Sequence, residues 1–207
     1  MKIKKELERL LAEKAPGPAP SFSLFHVIRA LELIAERSYG RLKLSEELNI
    51  GEGATRTLLK RLKEAGLVST SKTGCQLTQK GEKLWRRHGS IFKRKVSVEK
   101  NELTLAEYNV AILISNSGDK VKCGMKQRDA AVITGAKGAV TLVYANGKLI
   151  VPCVSDDVAE TYPKAYRQLM KLLRPEENDV IIIASAEAKE KAEYGALAAA
   201  WTLLNDC

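Results

Sequence analysis

The chain has 207 residues, 45% of them hydrophobic and only 5% aromatic, enough for one large domain or two modest ones with cores of Leu, Ile, Val and Ala. Its formal charge of +9 hides an asymmetry: residues 1–100 hold 22 Lys/Arg against 11 Asp/Glu, a balance of +11, and residues 101–207 hold 12 against 14, a balance of −2. Four scattered cysteines with no CxxC pair, and only two histidines, argue against a disulfide framework and a zinc site, while the lack of a signal-like or membrane-length apolar run sets the expectation of a cytoplasmic protein.

Ile3, Leu7, Leu10 and Leu11 recur at helical spacing, so the chain should open with a short amphipathic helix that stops before the proline-rich Ala15–Pro20. Two readings are open for it: a helix packed back on its own domain, or a dimerisation arm. A second helix follows, with Leu24, Val27, Ile28, Leu31 and Ile34 on one face and Gly40 at its exit. A third, shorter one carries Leu44 and Leu48 inward and ends at Asn49, a residue that tolerates the left-handed conformation. From Gly51 to Gly66 a fourth helix turns Thr55, Leu58, Leu59 and Leu62 in and Glu52, Arg56, Thr57, Lys60 and Lys63 out. Two short β-type runs, LVST and CQLT, flank the turn Ser71-Lys72-Thr73-Gly74. A further helix follows, anchored by Leu84 and Trp85.

This order of helix, helix, tight turn, helix and hairpin resembles a winged helix-turn-helix across about residues 22–90, carried by LSEELNIGEGATRTLLKRLKEAGLV and GCQLTQKGEKLW. The resemblance implies a DNA-binding domain whose fourth helix enters the major groove. Gly51 and Gly53 depart from the Ser, Arg or Ala more usual there. Between Arg56 and Lys95, 12 basic residues face only Glu64 and Glu82, so the outward charges lack acidic partners. The residues expected at duplex DNA are Glu52, Arg56, Thr57, Lys60, Arg61, Lys63, Ser71, Lys72 and Thr73. Arg56 has the fork to grip a guanine, while Lys60, Arg61, Lys63 and Lys72 suit phosphates. Arg86, Arg87, Lys93, Arg94 and Lys95 extend the basic tract and read as a linker. His26 and His88 read as surface or helix-edge residues.

From Glu102 the pattern changes. YNVAILIS is a buried-strand run, and DKVKCGMKQRDAAVIT reads as a helix ending at Gly135. GAVTLVY and KLIVP form a hairpin about Asn146-Gly147. SDDVAETYPKAYRQLMKLL is helical with Pro163 kinking or starting its main segment, NDVIIIAS is another buried strand, and Ser185 is expected to cap the last helix. The order β-α-β-β-α-β-α implies an α+β sandwich on a mixed sheet. Val121, Met125 and Val132 form an apolar stripe expected to face inward. Gln127, Arg128 and Asp129 beside it, with Lys137, are either a structural ion-pair network or a small-molecule site. The last helix carries Ala188, Ala192, Gly195, Ala196 and Ala199 on one side, a face fit for close packing against the sheet or a second subunit.

Through YNVAILI, KQRDAAVITGAKGAVTLVYANGKLIVP and DVIIIASAEAKEKAEYGALAAA, most of the chain resembles a family of archaeal winged-helix proteins with an uncharacterised C-terminal domain, similar in turn to the GAD domain of some aminoacyl-tRNA synthetases. The expected organisation is a helix and linker over 1–20, a winged helix-turn-helix over 21–95, a linker over 96–107 and an α+β effector-binding or dimerisation domain over 108–207. The expected function is a DNA-binding transcriptional regulator, a homodimer on double-stranded DNA whose second half senses a small-molecule effector, holds the dimer, or both. The competing readings are an enzyme fused to a DNA-binding domain and an RNA-binding winged helix. Neither a phosphate-cradling glycine loop nor a Ser-His or Cys-His pair accompanies the second half, so no catalytic residue, metal or cofactor is assigned.

Overall fold

The computed structural model describes residues 2–11 and 20–204. The expected proline-rich break lies outside them save for Pro20, as does Cys207. Two compact units share the chain, one ending at His88 and the other starting at Gly89.

In the first unit, α1 (Lys2–Glu8) runs into a 3-10 turn, Arg9–Leu11. Ile3, Leu7 and Leu10 are buried, so the apolar stripe of this segment is spent inside its own unit. α2 (Leu24–Glu36) buries the five expected side chains together with Ala30 and Leu33. It ends before Gly40, which instead precedes α3 (Arg41–Leu48) as its N-cap. Asn49 follows in the left-handed region at φ 50° and ψ 45°, and α4 (Glu52–Glu64) buries Thr55, Leu58, Leu59 and Leu62. β1 (Val68–Ser71) and β2 (Gly74–Leu77) pair antiparallel, with Val68 opposite Leu77. Tyr39 adds a rung by exchanging backbone bonds with Cys75, N to O at 3.2 and 2.8 Å. This is a winged helix-turn-helix.

α5 (Gln79–Ile91) lies hard against the start of the hairpin. A Cβ at Gly81 would sit 2.1 Å from the Leu67 carbonyl oxygen, so only glycine admits the approach. His88 is buried one turn below Leu84 and stacks on Trp85 at 4.6 Å between centroids. It is neither the surface nor the helix-edge residue expected, because the i, i+4 spacing from Leu84 turns it inward.

The second unit is built on a five-stranded sheet in the order β3-β4-β7-β5-β6: β3 (Phe92–Ser97), β4 (Tyr108–Ile114), β5 (Gly138–Ala145), β6 (Lys148–Ile150) and β7 (Val180–Ala186). Every pairing is antiparallel, not mixed as expected. β4 and β5 do point the same way, as their helical crossover requires. They are not neighbours, because β7 enters between them running against both, with Ile182 opposite Ile112 and Thr141. The class is α+β, as expected.

One face of the sheet, including Ala111, Leu113, Leu142, Ile181 and Ile183, is covered by α7 (Val158–Thr161) and α8 (Pro163–Leu173) through Val158, Ala165, Leu169 and Leu173. The other face receives α6 (Met125–Ile133) and α9 (Lys189–Trp201). A Cβ at Gly195 would meet those of Ala136 at 2.7 Å and Ala184 at 3.4 Å. The small-residue side of α9 is therefore used within the unit, against the sheet and α6. Ser185 does not cap this helix: it is a buried residue of β7 whose Oγ accepts the Leu105 N–H at 3.0 Å, and Ala188 is the N-cap. Asn146 and Gly147 turn the β5–β6 hairpin at φ 53° and 74°, the geometry Asn-Gly favours.

β3 runs through residues read as linker. Its alternation was hidden by charge, and its cations are engaged. Lys93 Nζ lies 3.0 Å from Asp179 and also binds Glu176, Arg94 donates to the Leu172 carbonyl at 2.7 Å, and Lys95 lies 3.5 Å from Glu193. Among the described residues, no helix is long and apolar enough to cross a membrane.

Candidate nucleic-acid interface

α4 is amphipathic with a charged outer half. Leu58, Leu59 and Leu62 fix its rotation by packing inward, and the 3.6-residue period then leaves Glu52, Arg56, Thr57, Lys60 and Lys63 exposed. Its N-terminus is open: among the described residues, no atom beyond the chain neighbours and the helix's own backbone lies within 4 Å of where a Cβ of Gly51 or Gly53 would stand. At the other end, Lys63 Nζ donates to Thr70 Oγ1 at 2.8 Å and ties the helix to β1. The hairpin tip is ordered by Ser71, whose Oγ lies 2.7 Å from Thr73 Oγ1 and accepts the Thr73 N–H at 3.2 Å. Lys72 is held out at that tip, exposed.

Between helix and hairpin runs an open cleft of about 660 Å³. Arg41, Arg56, Lys60, Lys63 and Lys72 line it, against one acid, Glu64. Ser71 and Thr73 contribute hydroxyls, and Cys75 lies in its wall, where burial pushes the thiol up and keeps it neutral. Among the described residues, no hydrogen bond or ion pair holds Arg56, Lys60 or Lys72. Arg41 escaped the sequence reading. It starts α3, and long-range contacts, the Tyr39–Cys75 bridge and the Gln76–Ser38 hydrogen bond, bring that start to the wing.

Three expected contacts fall elsewhere. Glu52 and Thr57 are exposed at the first turns of α4 but do not line the cleft, and Thr57 Oγ1 donates to the Gly53 carbonyl at 3.0 Å. Arg61 leaves the set altogether. It is half-buried, donates from Nη1 to the Leu10 carbonyl at 2.6 Å and stands 5.7 Å over the Phe22 ring. One residue beyond Lys60 is a rotation of about 100°, which turns Arg61 from the outer face toward α1.

The second unit does not gather its expected ligand residues. Gln127 is buried and donates to Thr202 Oγ1 at 2.7 Å, Arg128 and Asp129 are exposed, and Lys137 lies 3.3 Å from Glu187. The apolar stripe is inverted too. α6 begins only at Met125, after a 3-10 turn at Gly118–Lys120, and it buries Gln127 and Ala131 while Met125 and Val132 remain 48% and 45% exposed. Where α9 comes close at Gly195, a position whose Cβ would lie 3.6 Å from that of Ala131, the inner face of α6 is occupied by small Ala131, and Gln127 is turned in by its bond to Thr202. No group of His, Cys, Asp and Glu among the described residues is placed to hold a metal ion.

Residues 25–83 match the family "PH0730-like, N-terminal domain", and residues 105–203 match a domain of unknown function, DUF4443. No curated protein matches the chain. Among solved structures, the hypothetical protein PH0730 from Pyrococcus horikoshii OT3 is similar at a TM-score of 0.71 and 28% identity, over 88% of this chain and 93% of that one. A partial likeness to Lactococcus lactis ZitR has a TM-score of 0.30 and 23% identity, over 42% of this chain and 64% of that one. Thus both halves of the chain, winged helix and antiparallel α+β unit, have their counterpart along nearly the whole of one archaeal protein.

Proposed function

We propose that the chain is a DNA-binding transcriptional regulator that grips duplex DNA with α4 and the β1–β2 hairpin. The observation that carries this reading is the cationic cleft, in which five basic side chains on three elements converge with one acid between them. A helix of this width fits the major groove, and a protruding hairpin beside it suits the adjoining phosphates. Arg56, nearest the open end of α4, is positioned to read a base. Lys60, Lys63, Lys72 and Arg41 supply phosphate affinity, which sets register without choosing sequence. A single recognition helix reads too few base pairs for selectivity, so the regulator works as a homodimer on paired half-sites. The reading assigns no reaction to the second unit.

The test is duplex binding across a salt series. Affinity should fall with a log–log slope of roughly −0.9 per phosphate contacted. Arg41→Ala, Lys60→Ala and Lys72→Ala together should weaken binding to every sequence and flatten that slope, whereas Arg56→Ala should relax base preference. Arg61→Ala should leave the slope unchanged. Affinity indifferent to the triple substitution would remove the cleft from the interface, and tighter binding to RNA than to duplex DNA would redirect the reading.

A further inference from the structure

We infer that the outer face of α6 is the surface through which two copies of this chain associate. The helix turns Gln127 and Ala131 in and leaves Met125, Val132 and Ile133 outside beside Arg128 and Asp129, Ile133 being 85% exposed. Three large apolar side chains on the outward side of one nine-residue helix are exposed, with Arg128 and Asp129 set between Met125 and Val132.

The charges on this face point to the occupant. Met125 and Val132 are seven residues apart and fall on one line. Arg128 and Asp129, between them, flank that line on opposite sides at about 50° each. A two-fold axis parallel to the helix sets Met125 on Met125 and Val132 on Val132, and brings each Arg128 level with the Asp129 of the other copy. Both flanks then carry an opposite-charge pair. The face is thus self-complementary, as an isologous interface must be. Among the described residues, Arg128 reaches only Met125 Sδ, at 3.8 Å, and no cation pairs with Asp129. The inference goes beyond the nucleic-acid reading and stands without it, since association is measured with no DNA present.

The experiment is sedimentation equilibrium of the full chain over a wide concentration range, with thermal melting to confirm folding. The wild type should show a monomer–dimer equilibrium. Arg128→Asp alone places four carboxylates across the two flanks and should weaken the dimer about tenfold or more. Asp129→Arg alone should do the same with cations, and the double exchange R128D/D129R should restore association. Val132→Glu, at an exposed site that leaves the fold intact, should abolish it. A wild type monomeric throughout, a dimer unmoved by these changes, or a double exchange that fails to recover would each overturn the assignment.

Discussion

His26 shows how one side chain can make the N-terminus of α2 sensitive to acid. Its Nδ1 accepts the Ser23 N–H at 3.0 Å and lies 2.8 Å from Ser23 Oγ, so the ring must be neutral there. Burial holds its pKa below the usual histidine value. The folded state thus resists a proton that the unfolded state accepts. The stability this contributes is complete above pH ~6.5 and declines as pH falls from there toward the lower folded value. Chemical denaturation at pH 7.5 and 5.5 should show that loss, and His26→Gln, which keeps an acceptor but does not titrate, should remove this part of the pH dependence. Gly53 makes a different point. Nothing occupies the space where its Cβ would stand, so Gly53→Ala should stabilise α4 by up to about 1 kcal/mol. If a phosphate approaches this bare backbone, the same change weakens DNA binding. A melting curve and a binding titration on one variant separate the two effects.

Among the elements, β3 was least legible. FKRKVS reads as a charge run, and its strand character emerges only beside β4, with a bulge between Phe92 and Arg94. What anchors it is Asp179, 2% exposed, which takes the Asn116 and Glu176 N–H groups at 3.0 Å each and the Lys93 ammonium at 3.0 Å. Asp179→Ala would strand those donors and loosen β3, β4 and β7 where they meet. The expected cost is about 3 kcal/mol, read as a lower urea midpoint. α4 was the opposite case: its leucine spacing alone fixed which side chains face out. Arg61 marks the limit of that reasoning, because a residue at the border of two faces is decided by what packs there, here Leu10 and Phe22.

At the scale of the whole molecule, the division into a basic winged helix and a near-neutral α+β unit was visible in charge and periodicity. So was the order of strands and helices after residue 108, because buried runs of Val and Ile separated by turn residues leave few alternatives. The direction of the sheet was not. Sequence order shows that a crossover keeps β4 and β5 parallel, but not that a later strand will occupy the gap between them. Nor was the inversion of α6 readable, since it depends on how closely α9 lies against it. Outside β3, local pattern showed what each element is, and for α6 contacts distant in sequence decided which face is free.

The placement of β3 at the end of the sheet bears on how copies can meet. An unpaired rim invites further strands to add on, the route to runaway polymers. Here that rim bears Lys93, Arg94 and Lys95 in succession, and a new strand would have to accommodate three long cationic side chains already held by their own partners. Growth by strand addition at this border is therefore disfavoured.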